Sequence, residues 1–389
     1  MNVAQRDRGP LAVFGQHQKL FAYVGTYSAS GAHGGNGKGI YLFEMTPGTG
    51  DLTLIKVAAE LCNPSWLCFD PSGQYLFAAH DSSDFAGSDG AVSSFAVNRL
   101  DGNLQLLNTV SSEGSGPAHL GVDVSGQHIF VANYYGGSIA MLPILPTGEL
   151  GPATCVHKNS GCVGSEIASS GPPGSFAISG HDSPHPHMIL PDPGGRFVLS
   201  ADLGQDRIYI FTLDRSAGRL VLPEDAPFAP LPPGDGPRHF VFHPNGRWFY
   251  SLQEEASTVV FFHFDPATGL LSAQQTLSTL PAGFAGTSFT SEILLSPDGR
   301  FLYAANRLHD TIAIFSLNSE GRLHYMSETS TRGDYPRHIE FAPGGSFLYA
   351  CNQRSDHITF FHVDHKTGLL SFTGRYIPVG SPACIAFLG

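Results

Sequence analysis

One pattern recurs along this 389-residue chain and constrains its fold more than any other feature. Each copy has a Pro-x-His-like start, an apolar run, a Pro-x-Gly-like turn, a second apolar run ending near Asn, a third apolar run and a Thr-Gly-x-Leu-like turn. Complete copies occupy Asn63–Leu107, Gly116–Leu150, His185–Leu220, Gly236–Leu271, Thr290–Leu323 and Tyr335–Leu370. Self-similarity of this kind is typical of repeat architectures, so each copy predicts one structural unit.

The apolar runs are short and rich in Phe, Val, Ile and Tyr, and Gly, Pro, Asn or Asp residues bound them. These features favour β-strands joined by turns. No stretch has the sustained 3.6-residue periodicity of an amphipathic helix. The 46 glycines and 28 prolines agree with many turns. We therefore expect an all-β fold.

The two ends of the chain complete the repeat pattern. Phe21–Leu54 matches the second half of a copy, and Ser381–Leu388 matches only the first strand. An open array would expose two strand edges, whereas a ring pairs its last strand with its first unit. The sequence thus predicts one domain over residues 21–389, a seven-bladed β-propeller whose closing blade is shared by the N- and C-terminal segments. We interpret residues 1–20 as an N-terminal leader and residues 151–184 as an insertion between blades 3 and 4, counting the closing blade as blade 1.

Charge and hydropathy exclude several classes of partner. The chain has 21 Lys and Arg against 33 Asp and Glu, a net charge of −12, and nucleic-acid-binding domains are usually basic. It contains no apolar run long enough to span a membrane. We therefore expect neither nucleic acid nor a membrane as a partner. The N-terminal segment lacks the apolar stretch of a signal peptide, which predicts a cytoplasmic location. The oligomeric state is left open.

The sequence predicts neither a metal nor a cofactor. His185-Pro-His187 offers only two ligands at close spacing, with Asp182 and Asp202 farther away. The glycine-rich segment 31–39, GAHGGNGKG, departs from the Walker pattern and is interpreted as a loop between strands. Cys155 and Cys162 share the insertion and would form a disulfide only in an oxidising compartment.

Two repeat positions predict where a site would lie. The first strand of a blade lines the channel, and its start lies at the same face as the end of the antiparallel second strand. In blades 4 to 7 these positions carry a histidine, a glutamate and three arginines: His187, Arg238, Glu254, Arg307 and Arg337. Arginine binds carboxylate and phosphate in a bidentate manner, so the set indicates an anion pocket. There are two alternatives to an anion pocket. The arginines could form structural ion pairs between blades, and Glu254 could be a solvated residue at a strand end.

The next residue of the first strand forms a second list, with Trp66 and Met188 among histidines and other residues. These two side chains indicate that the position serves partly for packing. We expect substrate-binding roles for five residues at or near the two lists: His185, Arg337, His239, His338 and Glu292. An alternative role for the histidines is a hydrogen bond to the neighbouring strand.

Seven segments resemble the lactonase family of seven-bladed propellers, which includes propeller-type 6-phosphogluconolactonases and carboxy-cis,cis-muconate cyclases. They are YVGTY (23–27), GKGIYLFEM (37–45), HPH (185–187), LGQDRIYIF (203–211), GPRHFVFHPNG (236–246), SEILLSPDGRFLYAANR (291–307) and YPRH (335–338). The resemblance covers residues 20–389. It implies a catalytic set of one His, two Arg and one Glu, which falls on His187, Arg238, Glu254 and Arg307.

The resemblance leads to a hydrolytic hypothesis in which an anionic sugar lactone, 6-phosphogluconolactone above all, is opened by water without a cofactor. His187 or Glu254 would be the general base, and His187 is preferred because its ordinary pKa lies near neutral pH. Arg238 and Arg307 would stabilise the oxyanion. Two alternatives stand beside it: a lactonising cyclase acting on a carboxymuconate, and a non-catalytic propeller that binds a protein or peptide. The longer glycine-rich loop of blade 1 and the insertion 151–184 would shape the mouth of the pocket.

Overall fold

The computed structural model describes residues 19–28, 34–176, 180–224 and 228–389. In these ranges the chain forms 29 β-strands, numbered β1 to β29, and no helix. Residues 1–18 of the predicted leader lie outside the described ranges, and Leu20 already belongs to β1. The described part therefore holds no helix that could cross a membrane.

The strands form seven separate sheets, one for each blade. Blade 1 contains β1 (Leu20–Thr26), β2 (Ile40–Met45), β3 (Leu52–Ala59) and β29 (Pro382–Leu388). Blade 2 contains β4 (Pro64–Phe69), β5 (Tyr75–Phe85), β6 (Asp89–Val97) and β7 (Leu104–Ser111). Blade 3 contains β8 (Pro117–Val122), β9 (His128–Asn133), β10 (Ser138–Pro143) and β11 (Cys155–Lys158). Blade 4 contains β12 (Pro186–Pro191), β13 (Phe197–Asp202), β14 (Arg207–Asp214), β15 (Arg219–Val221) and β16 (Phe228–Pro230).

The last three blades have four strands each, like blades 1 to 3. Blade 5 contains β17 (Pro237–Phe242), β18 (Trp248–Gln253), β19 (Thr258–Phe264) and β20 (Leu271–Ser278). Blade 6 contains β21 (Thr290–Leu295), β22 (Phe301–Asn306), β23 (Thr311–Leu317) and β24 (Leu323–Ser330). Blade 7 contains β25 (Pro336–Phe341), β26 (Phe347–Asn352), β27 (His357–Val363) and β28 (Leu370–Pro378).

The ring closes in blade 1, where the C-terminal strand pairs with the N-terminal one. β29 runs antiparallel to β1, with Phe21 opposite Leu388 and Val24 opposite Ile385. This pairing gives both strands a neighbour and leaves no open end in the ring. The predicted seven-bladed propeller with a shared closing blade is confirmed.

Apolar packing joins each blade to the next. Seven buried clusters lie in the described part of the chain, one at each junction between neighbouring blades. Tyr hydroxyls add a polar tie at several junctions, as where Tyr23 of β1 donates to the Gly102 carbonyl of blade 2 at 2.7 Å. Gly102 has a φ of 74°, a conformation that glycine adopts without the steric cost of a side chain. The Thr-Gly-type turns of the repeat thus anchor neighbouring blades to each other.

The range 151–184 begins before blade 3 is complete, because it includes β11. β11 is the outermost strand of that blade and pairs with β10. The segment that connects blade 3 to blade 4 in the structure therefore follows Lys158. Cys155 of β11 and Cys162 of this connecting segment do not form the local disulfide, since both are free thiols.

Candidate active site

A β-bulge near the start of the innermost strand occurs in every blade. In blade 5, for example, Pro237 lies opposite Gln253 and His239 opposite Leu252, so Arg238 is the extra residue. The same register shift is found in the other blades. A bulge places two residues opposite one and redirects their side chains. Two consecutive residues of each innermost strand can therefore place their side chains near the propeller axis.

These residues form two stacked layers. We call the bulged residues the mouth ring: Ser65, Ala118, His187, Arg238, Ser291, Arg337 and Ala383. The residues after them form the floor ring: Trp66, His119, Met188, His239, Glu292, His338 and Cys384. Floor-ring side chains meet across the axis, since the Trp66 and His239 ring centroids are 5.4 Å apart although their strands belong to blades 2 and 5.

The mouth ring opens into a cavity of about 560 Å³. Its lining includes two arginines, three histidines, two tyrosines of one blade and several carboxylates: Asp81, Ala118, Tyr134, Tyr135, Glu166, Gly180, His181, Asp182, His185, His187, Glu254, Arg307, Tyr335 and Arg337. Glu166, His181 and Asp182 come from the segment between blades 3 and 4, which therefore forms part of the wall. The volume suits a small molecule.

Glu254 links two of the predicted arginines. Its Oε2 lies 2.9 Å from Arg238 Nε and 2.6 Å from Arg307 Nη2, and all three residues are buried. Arg307 also donates to the Thr290 carbonyl and the Tyr335 hydroxyl. Arg238 lies behind Glu254, is not part of the cavity wall, and donates to the Ser291 carbonyl. Glu254 therefore holds the arginines in place and is poorly suited to accept a proton from water.

Burial and neighbouring charges act differently on the two arginines. Burial, with Arg307 nearby, lowers the pKa of Arg238 to about 9. Burial also opposes ionisation of Arg307, but Glu254, Tyr335 and Glu255 together more than offset it, and the Arg307 pKa lies above its usual value. Arg307 is thus a permanent cation at the cavity wall.

His187 lies on the cavity wall with one ring nitrogen engaged. Its Nδ1 is 3.2 Å from His239 Nε2, and its Nε2 has no hydrogen-bond partner in the described part of the chain. Burial first, and then the positive charge of Arg238, holds the His187 pKa well below its usual value. His187 is therefore neutral at pH 7 and has a free nitrogen for a proton.

His185 also lies on the wall, but both of its nitrogens are engaged. Nδ1 is 2.8 Å from the Tyr134 carbonyl, and Nε2 is 2.8 Å from Asp182 Oδ1. The Tyr134 ring stacks on His185, with centroids 4.3 Å apart, and meets the His187 ring edge-on at 5.5 Å. His185 and Tyr134 thus support the orientation of His187.

Arg337 lies between this cavity and a second one of about 530 Å³. Its guanidinium packs over the Tyr27 ring at 5.0 Å, and the Tyr27 hydroxyl donates to Asp81. The second cavity shares Tyr335 and Arg337 with the first, and its wall includes Arg354 and residues 34–36 of the glycine-rich loop. Residues 31–33 of that loop lie outside the described residues.

The structure sorts the predicted residues by depth. His185, His187, Glu254, Arg307 and Arg337 share the wall of the first cavity, with Arg238 directly behind. His239, Glu292 and His338 belong to the floor ring and are not part of that wall. Their predicted substrate-binding role has no geometric support in this cavity.

Sequence reasoning did not select Tyr134 and Tyr335 as site residues. Tyr134 stands at the end of the second strand of blade 3, the position that carries Glu254 in blade 5 and Arg307 in blade 6. Tyr335 precedes Pro336 and has a φ of 63°, which is strained for a tyrosine. The same position is glycine in blades 3 and 5, so a large residue there was the available signal.

Fold and cavity together define a seven-bladed propeller enzyme with a charged small-molecule site on its axis. The family model described as Lactonase, 7-bladed beta-propeller, matches residues 21–387, and the chain belongs to this family of lactone-hydrolysing enzymes. A 6-phosphogluconolactonase of Bacillus subtilis (strain 168) is 31% identical over 371 residues, which is 95% of this chain and 99% of that protein.

Solved structures are similar over the same extent. The crystal structure of a Bacteroides fragilis protein has a TM-score of 0.82 and 32% identity, covering 95% of this chain and 98% of that one. The periplasmic gluconolactonase of Pseudomonas aeruginosa has a TM-score of 0.83 and 29% identity, covering 95% and 99%. The substrate of this chain is thus a small lactone.

Proposed function

We propose that the protein hydrolyses 6-phosphogluconolactone to 6-phosphogluconate. The observation that carries this proposal is that one cavity wall holds both two arginines and a neutral His187, whose Nε2 has no hydrogen-bond partner among the described residues. Lactone hydrolysis needs a base for the attacking water and a cation for the developing oxyanion. The similarity to a protein named 6-phosphogluconolactonase supports the choice of substrate.

In the proposed mechanism, His187 Nε2 removes a proton from a water molecule as the water oxygen attacks the ring carbonyl. Arg307 lies at the wall and stabilises the carbonyl oxygen as it becomes negative. Collapse of the tetrahedral intermediate breaks the ring C–O bond, and the proton held at His187 returns to the leaving oxygen. Arg238 acts indirectly, because it helps to hold Glu254 against Arg307.

The phosphate group is assigned to the junction of the two cavities. Arg337 belongs to both walls, and Arg354 packs over the Tyr335 ring at 3.8 Å on the side of the second cavity. Two guanidinium groups at this junction suit a phosphate dianion. The lactone ring would then lie beside His187 and Arg307.

Arg337→Met tests the substrate assignment. Loss of this cation should lower kcat/KM for 6-phosphogluconolactone by about 10²-fold, since a hydrogen bond between charged groups contributes roughly 1.5–3 kcal/mol. The rate with unphosphorylated glucono-δ-lactone should change by less than about threefold. Rates are measured by pH-stat with the spontaneous rate subtracted.

Arg332→Met is the matched control, because Arg332 is exposed and packs over Phe372 away from both cavities. It should leave both rates unchanged. Equal losses with both lactones in Arg337→Met would reject the phosphate assignment. Turnover of a carboxymuconate in place of either lactone would favour the cyclase, and no turnover at all would favour a binding protein.

A further inference from the structure

A hydrogen-bonded chain runs from the cavity into the floor ring and is not used by the mechanism above. His187 Nδ1 is 3.2 Å from His239 Nε2, and His239 Nδ1 is 2.9 and 3.1 Å from the two Glu292 oxygens. His338 Nε2 approaches Glu292 Oε2 at 3.6 Å. All four side chains are buried, and each comes from a different blade, 4 to 7 in order.

The backbone fixes the direction of the protons. The Ile385 N–H points at His338 Nδ1 at 3.4 Å, so the proton of a neutral His338 lies on Nε2, towards Glu292. The Ile293 N–H donates to Glu292 Oε1 at 3.1 Å. Glu292 is thus surrounded by donors, which an ionised carboxylate satisfies best. His239 can also donate to Glu292 when its proton is on Nδ1.

The tautomer of His187 follows from that of His239. With its proton on Nδ1, His239 has a lone pair on Nε2 and can only accept there. His187 must then carry its own proton on Nδ1, which leaves the Nε2 lone pair for the cavity. The other tautomer of His187 would place two lone pairs face to face at 3.2 Å.

We propose that His239 and Glu292 are positioning residues that keep the base lone pair of His187 in the cavity and carry the proton of the attacking water away from it. The proposal rests on the proposed hydrolysis. As the water oxygen bonds to the carbonyl carbon, its proton moves to His187 Nε2. The His187 Nδ1 proton moves to His239 Nε2, and the His239 Nδ1 proton moves to Glu292. Glu292 becomes a neutral acid, and the negative charge is on the substrate oxygen beside Arg307. When the ring C–O bond breaks, the transfers reverse: Glu292 returns a proton to His239 Nδ1, His239 Nε2 returns one to His187 Nδ1, and the His187 Nε2 proton passes to the leaving oxygen.

The electrostatics of the floor ring suit this transfer. Burial lowers the pKa of His187 and His239 well below the usual value, so a positive charge is costly on either ring. Burial raises the pKa of Glu292, although His338 and Arg238 oppose the effect. Two further carboxyl groups act on this region: Glu254, which opposes the lowering of the His239 pKa, and Glu340, whose own pKa burial raises to about 8. The relay therefore ends on the group best able to hold the proton.

The floor ring also separates two spaces. Glu292 and His338 lie on the wall of a depression on the far side from His187, together with Trp66 and His119. The first cavity includes none of these four residues. The relay thus moves the proton across the partition, out of the space that contains the substrate.

Glu292→Gln tests the relay by kinetics. A glutamine keeps the size of the side chain but can donate or accept, so it no longer fixes the tautomer and cannot take up the proton. We expect kcat for lactone hydrolysis to fall by about 10²-fold, within the range for general base catalysis, with KM changed by less than about threefold. His119→Gln is the control, since His119 is a floor-ring histidine with no hydrogen bond to the relay, and it should retain near-normal kcat.

The ¹⁵N NMR spectrum of histidine-labelled protein tests the same proposal without substrate. The His187 signal, identified by its loss in His187→Gln, should show a neutral ring with the proton on Nδ1, and Glu292→Gln should change that pattern. An Nε2-protonated or charged His187 in the unmodified protein would overturn the proposal, as would an unchanged kcat in folded Glu292→Gln. The predicted tautomer together with no lactone turnover would uphold the positioning and reject only the proposed function.

Discussion

The mouth ring and the floor ring lie one residue apart in every blade, yet they serve different purposes. In the mouth ring, blades 1 to 3 contribute only Ala383, Ser65 and Ala118, whereas blades 4, 5 and 7 contribute His187, Arg238 and Arg337. The floor ring instead fills the axis with bulky side chains such as Trp66 and Met188. One bulge per blade thus separates a layer that carries the chemistry from a layer that packs the axis, and the relay connects the two layers.

The largest contrast is expected at His187. His187→Gln should reduce kcat by about 10²–10⁴-fold, because the general base is lost. The free energy of unfolding should change by less than about 1 kcal/mol, since the glutamine replaces a side chain at the cavity wall. Steady-state kinetics and urea unfolding measure the two effects. Ser65→Ala is the control, because Ser65 holds the equivalent position of blade 2 and lies outside the cavity wall. It should change kcat by less than twofold. A loss of kcat comparable to that of His187→Gln would remove the distinction between blades 1 to 3 and blades 4, 5 and 7 of the mouth ring.

Trp66→Leu should show the opposite behaviour. The Trp66 ring contacts those of His119, His239 and His338 at centroid distances of 4.2, 5.4 and 5.3 Å, and its indole N–H donates to the Leu120 carbonyl. Its replacement should lower the free energy of unfolding by about 2 kcal/mol, in line with other large-to-small changes in cores. We expect kcat to fall by less than about threefold. A large loss of rate with unchanged stability would contradict the packing role of the floor ring.

The smallest effect concerns pH. Because burial and Arg238 lower the His187 pKa, the ring stays neutral as the pH falls from 8 to 6.5, and protonation removes the base only below the lowered pKa. The value of kcat/KM for glucono-δ-lactone should therefore vary by less than twofold over that interval. A pH-stat profile corrected for spontaneous hydrolysis measures it, and an inflection near the ordinary histidine pKa would mean that His187 is more solvated than the structure indicates.

The sequence predicted the ring because its evidence is local and repeated. Apolar runs, turns and the split copy at residues 21–54 and 381–388 together required a closed propeller. It also predicted that His187, Arg307 and Arg337 would lie near one another, since the equivalent positions of blades 1 to 3 carry neither histidine nor arginine. The repeat and the charged residues at its inner positions are both matters of residue type at a given position, and these can be read from the sequence alone.

The depth of each side chain could not be predicted in the same way. Arg238 and Arg337 occupy the same repeat position, but only Arg337 reaches the cavity wall, because Glu254 holds Arg238 behind it. The His187–His239 contact joins residues 52 positions apart and depends on the bulges and on the radius of the ring. The positive φ of Tyr335 is likewise a property of the folded backbone, and the residue type alone does not predict it.

The pairing of β29 with β1 sets an order of events during synthesis. The ribosome makes residues 382–388 after all the other strands, so blade 1 lacks its innermost strand until they emerge. Until then β1 has a bare edge, and the apolar cluster between blades 7 and 1 lacks Ile385. Nascent chains stalled before Pro382 should consequently depend on chaperones to avoid edge-to-edge association. Once residues 382–388 have emerged, β29 should pair with β1 and close the ring.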